Sequence, residues 1–315
     1  MDILDAHTRG VGNSNNTLGW VLLVNSSGDV LWFKDIYDGV LINQYGGYND
    51  NFTLPTKVIE IDGNGIYITG YTLGYNTITC NGLPSQTPVC LSLALKYDGT
   101  TLFNNNYSEL QWCCHNVCTH EHRADGGVDA LYDPNNNQIY ILRPKYNYIA
   151  IGTTSITTIN ATNGSYINNS EFKVDNSTFI ANRVPCFSNL AFNPNNANEL
   201  ILTGIERNFT DNDRHIIKAG FDLNTQLPIN SGILYYTDNN NPNETTFPLN
   251  NLGYSTTTPP IAVYDASNDG VIVNLHIGSN SNEDIRLHVI DNNGGCSVEY
   301  FTQYHIDSPD RHCMP

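Results

Sequence analysis

The sequence predicts an all-β protein, a β-propeller built of alternating β-hairpins, and three observations carry that expectation. A hairpin signature, VIEIDGNGIYITGYT, spans Val58–Thr72 and returns in variant form to the end of the chain. Two kinds of hairpin alternate along the chain without a miss. No segment holds an apolar period of 3.6 residues behind a cap, so no helix is expected.

The signature hairpin sets the pattern. An alternating apolar run leads into Asp62-Gly63-Asn64-Gly65, and Ile66-Tyr67-Ile68-Thr69 returns. Gly and Asn tolerate the positive φ that a tight turn demands, while β-branched and aromatic residues suit the flanking strands. Hairpins of this first kind are anchored at Asp62, Asp133, Asn193 and Asp265. The second kind is anchored at Asn25, Asp98, Asn160, Asp222 and Asp291, as in LVNSSGDVLWF and LKYDGTTLF. Its anchors recur at intervals of 73, 62, 62 and 69 residues, the mark of a supersecondary unit repeated as a solenoid or propeller. A β-sandwich shares the strand alternation, but not the interleaving of two hairpin types.

Two paired hairpins form a four-stranded meander, which is a propeller blade. Blades are expected over 56–108, 127–172, 187–236 and 259–305 of one domain, with 306–315 as a tail. Residues 1–37 form a fifth blade whose first strand is missing, with Ile3-Leu4-Asp5-Ala6 as a return strand. A C-terminal strand near Tyr300–Ile306 or beyond could supply the missing one and close the ring, removing exposed edges.

The motifs WVLLVNSSGDVLWFKDIY, VIEIDGNGIYITGYT and LSLALKYDGTTLFNNNYS resemble the SBBP-type β-propeller repeat of large surface proteins. That repeat pairs a D-x-x-G-N-x-Y-V-T-G-x-T hairpin with a K-x-D-x-x-G-x-L-x-W hairpin. The likeness runs over Trp20–Tyr37 and Lys57–Tyr107 and degenerates from Asp129 onward. It implies a propeller of cell or particle surfaces and carries over no catalytic residue.

Charge narrows the partners. Lys and Arg number 14 against 31 Asp and Glu, for a formal charge of −17. Such a field repels phosphate backbones and anionic lipid, so neither nucleic acid nor a membrane surface is expected as a partner. No apolar run is long enough to span a bilayer, and MDILDAHTRG lacks the regions of a signal peptide. Eight cysteines suit disulfides, with Cys80, Cys90, Cys113, Cys114, Cys118, Cys186, Cys296 and Cys313 as candidates. The pair Cys80–Cys90 would close one long loop, and Cys296 with Cys313 would tie down the tail. Glycosylation triplets begin at Asn15, Asn25, Asn51, Asn106, Asn160, Asn163, Asn168, Asn176, Asn208 and Asn243. Together these features place the protein outside the cell, or on a cell or virion surface.

A meander puts every hairpin turn at one end of its strands and every longer link at the other. The links Asp38–Pro55, Leu73–Cys90, Glu109–Gly127, Lys173–Pro185 and Thr237–Pro260 therefore mark the expected functional face. In the third of these, Cys114, Cys118, His120 and His122 offer zinc ligands, though without the spacing of a standard finger. Trp112 beside them is the candidate aromatic of the ligand face. Asp265, Ser267 and Asp269 begin a D-x-S-x-D-G calcium loop, but its twelfth position is His276 instead of a bidentate Glu. Asp133-Pro-Asn135-Asn-Asn137 is a weaker version, and β-turns use the same residues. No cofactor is expected beyond a structural Ca²⁺.

Enzyme signatures such as G-x-S-x-G, H-E-x-x-H and the P-loop are absent from the sequence. Glu109, Glu121, Asp125, Asp129, Glu171 and Glu206 lie in or beside loops, but nothing marks two of them as a glycosidase pair. His215, beside Asp213 and Arg214, reads as a solvated cluster. The expected function is therefore a non-catalytic structural, assembly or recognition module, partnered by further copies of itself or by other surface proteins. A glycan-binding lectin and a glycoside hydrolase on a five-bladed propeller are the alternatives.

Overall fold

The computed structural model describes residues 4–10, 17–36, 53–61, 63–80, 83–105, 126–145, 153–172, 183–208, 214–236, 262–265, 270–279, 282–290 and 296–303. Every regular element among them is a β-strand. The chain divides into two compact units, Met1–Lys173 and Val174–Pro315.

The first unit holds three antiparallel meanders. Strands β1 (Leu4–Gly10), β2 (Thr17–Val24) and β3 (Val30–Ile36) form a three-stranded sheet in that order. Next come β4 (Thr53–Ile61), β5 (Gly65–Cys80), β6 (Leu83–Leu95) and β7 (Thr101–Asn104), again in sequence order. The third sheet comprises β8 (Asp129–Asp133), β9 (Gln138–Lys145), β10 (Thr153–Asn160) and β11 (Tyr166–Phe172). The first strands β4 and β8 touch, and β1 and β2 both touch β4.

The second unit repeats the plan twice. Its first sheet is β12 (Arg183–Asn193), β13 (Asn196–Asn208), β14 (Arg214–Asp222) and β15 (Leu227–Tyr236). Its second is β16 (Ala262–Asp265), β17 (Gly270–Ser279), β18 (Asn282–Ile290) and β19 (Cys296–Gln303). Each four-stranded sheet thus joins one hairpin of the first kind to one of the second. Tyr300–Gln303 belong to β19, paired with β18, so they are not a spare closing strand. Residues 304–306 lie outside the described residues.

The near-continuous apolar runs of the second sheet are explained by burial on both faces. Ile66, Ile68, Leu91, Leu93 and Leu95 pack with Val21 and Ile36 of the first sheet. On the other face Tyr67, Cys90, Ala94 and Phe103 pack with Ala130, Ile139, Ile141 and Ile159 of the third. Each such side chain, fully buried, contributes about 1.5–3 kcal/mol relative to exposure.

One expected loop is instead a hairpin. Residues 73–90 were expected as a long link, yet β5 and β6 stay paired out to Cys80↔Leu83. The run Thr72-Leu-Gly-Tyr-Asn-Thr-Ile-Thr79 carries enough β-branched and aromatic residues to extend the strand. Pro84 and Pro88 are tolerated because, among the described residues, β7 pairs only with Leu93–Leu95 and that stretch of β6 has β5 alone beside it. The same ladder rules out a Cys80–Cys90 bridge. Cys90 lies opposite Tyr71, nine positions along β5 from Cys80, a span of on the order of 25 Å against the roughly 7 Å a disulfide allows. Cys90 is a buried thiol, donating to Leu91 O at 3.5 Å and lying 3.6 Å from Thr69 Oγ1.

Successive sheets of the first unit are also latched at the turn end. The Trp32 indole rests on Gly99, its Nε1 donates to Tyr97 O at 2.8 Å, and Lys34 Nζ donates to Gly99 O at 3.0 Å. One sheet later Phe103 lies against Gly164, and Asn105 Nδ2 donates to Gly164 O at 2.9 Å. Both glycines are left-handed, with φ of 81° and 67°. In the second unit Gln226 takes the corresponding turn position at φ 59°, held by an Nε2 bond to Leu223 O at 2.6 Å.

Candidate functional site

The best-defined polar site lies where β4 meets the segment leading into β8. A register shift between Pro55 and Lys57 turns Thr56 out of the β4–β5 ladder. Its Oγ1 then donates its one hydrogen to Gly127 O at 2.7 Å, with Thr69 O within reach at 3.3 Å. Gly127 N donates to Gly70 O at 2.9 Å, closing the contact from the other side. A Cβ on Gly127 would collide with Thr69 Oγ1, so only glycine approaches this closely. The Thr-Gly of the hairpin signature is thus the seat on which the next sheet's first strand docks.

That docking sets Asp129, the first residue of β8, beside Lys57. Lys57 Nζ lies 2.9 Å from Asp129 Oδ1, with side-chain exposures of 38% and 3%. The buried carboxylate also accepts a hydrogen bond from Ala130 N at 2.9 Å. A buried charge is tolerated when it is both paired and hydrogen-bonded, as here. The outcome is a lysine anchored at its tip by a carboxylate hidden from water, with part of its length open to solvent.

The other expected sites separate. Asp133 sits at the opposite, turn end of β8, where its carboxylate accepts from Asn135 N at 2.9 Å and from Asn136 Nδ2 at 2.8 Å. Tyr140 Oη reaches the same carboxylate at 3.4 Å. Burial, and then the Asp133 charge, push the Tyr140 phenol up to about 12. The Asp133 loop is thus an Asx turn that consumes its own oxygens. Asp265 ends β16 opposite Gly270, while Ser267 and Asp269 lie outside the described residues. Among the described residues no cluster of three His, Cys, Asp or Glu could hold a metal.

Trp112, Cys113, Cys114, Cys118, His120, His122 and Cys313 lie outside the described residues, as do Glu109, Glu121 and Asp125. Glu171 falls in β11, Cys186 in β12, Glu206 in β13, His215 in β14 and Cys296 in β19. Of the glycosylation triplets, Asn25 and Asn163 lie in turns, Asn160 at the end of β10, Asn168 within β11 and Asn208 at the end of β13; Asn15, Asn51, Asn106, Asn176 and Asn243 fall outside the described residues. Sequence reasoning missed Lys57. The available signal was a lysine two residues after Pro55 on the strand preceding the signature turn.

No family model and no curated protein matches this chain. Among solved structures it is similar to an endo-arabinase from Bacteroides thetaiotaomicron, at 13% identity and a TM-score of 0.41, covering 98% of this chain and 95% of that one. It is also similar to the periplasmic gluconolactonase PpgL of Pseudomonas aeruginosa, at 11% identity and a TM-score of 0.39, covering 94% of this chain and 80% of that one. Both of those proteins are enzymes by name, in contrast to the non-catalytic structural module expected of this chain from its sequence.

Proposed function

We propose that the chain is a five-bladed β-propeller acting as a glycoside hydrolase, with the ammonium of Lys57, fixed by Asp129, holding a sugar oxygen of the substrate. The observation that supports this reading is the Lys57–Asp129 pair itself. It lies where the first strands of successive sheets meet, and in a propeller first strands line the central channel. Lys and Arg total only 14 in this chain, and immobilising one with a buried carboxylate costs desolvation that packing alone would not require. The convergence of first strands supports the propeller: β4 touches β8 in the first unit and β12 touches β16 in the second. The two enzymes of similar fold lie too far from this chain to bring a substrate with them.

Glycoside hydrolysis needs a general acid and a second carboxylate. The sequence offers Glu109, Glu121, Asp125, Glu171 and Glu206 for those roles, with Asp129 as a positioning residue. The test is release of reducing ends from a panel of soluble pentosans and hexosans, followed by a Glu→Gln and Asp→Asn scan of the five. Loss of about 10³-fold or more in two variants that still fold supports the proposal. Polysaccharide binding without hydrolysis would favour a lectin instead, and neither binding nor hydrolysis would overturn both readings.

A further inference from the structure

We infer that Asn163 is an N-glycan acceptor, and that Asn25, Asn160 and Asn168 stay bare although each opens an equally good triplet. These are the four triplet asparagines whose side chains are placed, and Asn163 alone among them is exposed. It occupies the tip of the β10–β11 turn in Asn163-Gly164-Ser165. Its Oδ1 accepts the Ser165 N–H at 2.9 Å, which turns the carbonyl side of the amide inward and leaves Nδ2 directed to water. The backbone beneath is held, because Gly164 N donates to Asn160 O at 2.8 Å and Asn105 Nδ2 donates to Asn163 O at 3.3 Å.

In Asn25 and Asn168 the amide nitrogen is committed, and Asn160 is set apart by its burial. Asn25 is half-buried, with Oδ1 accepting from Ser27 N and Asp29 N at 3.0 and 2.8 Å, and Nδ2 donating to Asp29 Oδ2 at 3.0 Å. Asn160 is half-buried at the base of the same turn as Asn163, its Oδ1 accepting from Thr162 N at 2.9 Å. Asn168 stands half-buried inside β11, its Nδ2 donating to the hydroxyl of its own triplet, Ser170 Oγ, at 3.2 Å. The donor would be a lipid-diphosphate-linked oligosaccharide. Asn163 Nδ2 forms a bond to the anomeric carbon, the bond from that carbon to the diphosphate oxygen breaks, and Nδ2 loses one proton as the lipid diphosphate leaves.

The full chain, translated behind a cleavable secretory signal in the presence of microsomes, tests the inference. An endoglycosidase that leaves one N-acetylglucosamine marks each occupied site. Trypsin then releases Tyr146–Lys173, which carries Asn160, Asn163 and Asn168 together, and fragmentation locates the sugar. The expected result is a tag on Asn163 alone within that peptide, none on Asn25, and a bare peptide from Asn163→Gln. A bare Asn163 in translocated protein, or a tag on Asn160, Asn168 or Asn25, overturns it.

Discussion

Trp32 of β3 lies flat against Gly99, a residue of the turn that joins β6 to β7 in the following sheet, and Phe103 repeats the relationship with Gly164 one sheet later. The outer-strand aromatics Trp32 and Phe103 thus each lie against a left-handed turn position of the next sheet. The repeat is held by this contact as well as by its buried faces.

The two glycines should differ in what they tolerate. At Gly164 a Cβ would sit 2.7 Å from Phe103 Cε2 and 2.7 Å from Asn105 Nδ2, whereas at Gly99 the nearest atom is Trp32 Cδ2 at 3.4 Å. Gly99→Ala then carries only the left-handed backbone cost, about 1–2 kcal/mol. Gly164→Ala adds overpacking, for a total of about 2–4 kcal/mol. Urea midpoints of the two variants check the order.

Removing one partner of the Lys57–Asp129 pair should cost more than removing both. Lys57→Met leaves a buried carboxylate uncompensated, a loss of about 3 kcal/mol. The double variant Lys57→Met, Asp129→Asn should recover much of it. A double-mutant cycle by urea unfolding reads the coupling, and additive single effects would mean that the pair does not interact.

Tyr140 gives an alkaline signature. Its folded-state phenol titrates at about 12 against 10.0 for an ordinary tyrosine. Because the folded value is raised, its contribution is fully present below pH 10 and is lost as pH climbs toward 12. Tyr140→Phe should remove one late component from the ultraviolet titration of the 19 tyrosines and flatten the loss of stability over that window.

Asp98 and Asp222 act at the acid end. Hydrogen bonds from the Thr100 hydroxyl and N–H hold Asp98 below the usual carboxylate value of 3.8. The N–H groups of Thr225 and Asn224 do the same for Asp222. A depressed folded value means stability that is present above 3.8 and lost as pH falls through the lower folded value. Asp98→Asn and Asp222→Asn should each make the acid limb of the stability curve shallower, with no change in shape near neutrality.

Cys90 should be silent in the native protein. Its thiol is buried between Thr69 and Leu91, so a thiol reagent should reach it only after unfolding. A peptide map should contain no Cys80–Cys90 crosslink.

Much of the fold was legible because hairpin chemistry is local. Asp62-Gly63-Asn64-Gly65 and Asn25-Ser26-Ser27-Gly28 announce turns by residue type, and the alternation around them gives the faces. In the sequence, residues 73–90 read as a long link between hairpins, whereas β5 and β6 stay paired there with Pro84 and Pro88 inside β6. A closing strand was expected near Tyr300–Ile306 or beyond because the sequence does not reveal which partner β18 takes, and β18 takes Tyr300–Gln303. Lys57 escaped notice for a similar reason. Its meaning comes from Asp129 on another sheet, brought to it by Thr56 and Gly127.

The most direct test of the proposed function is steady-state hydrolysis of a polysaccharide by the wild-type chain and by Asp129→Asn, with folding of both verified by cooperative unfolding. Reducing ends released by the wild type, and a variant whose KM rises while kcat holds within a few-fold, would be the behaviour of a carboxylate that positions Lys57 for binding. Product formation with unchanged KM in the variant would remove Lys57 and Asp129 from the site. No product from any polysaccharide would contradict the hydrolase itself.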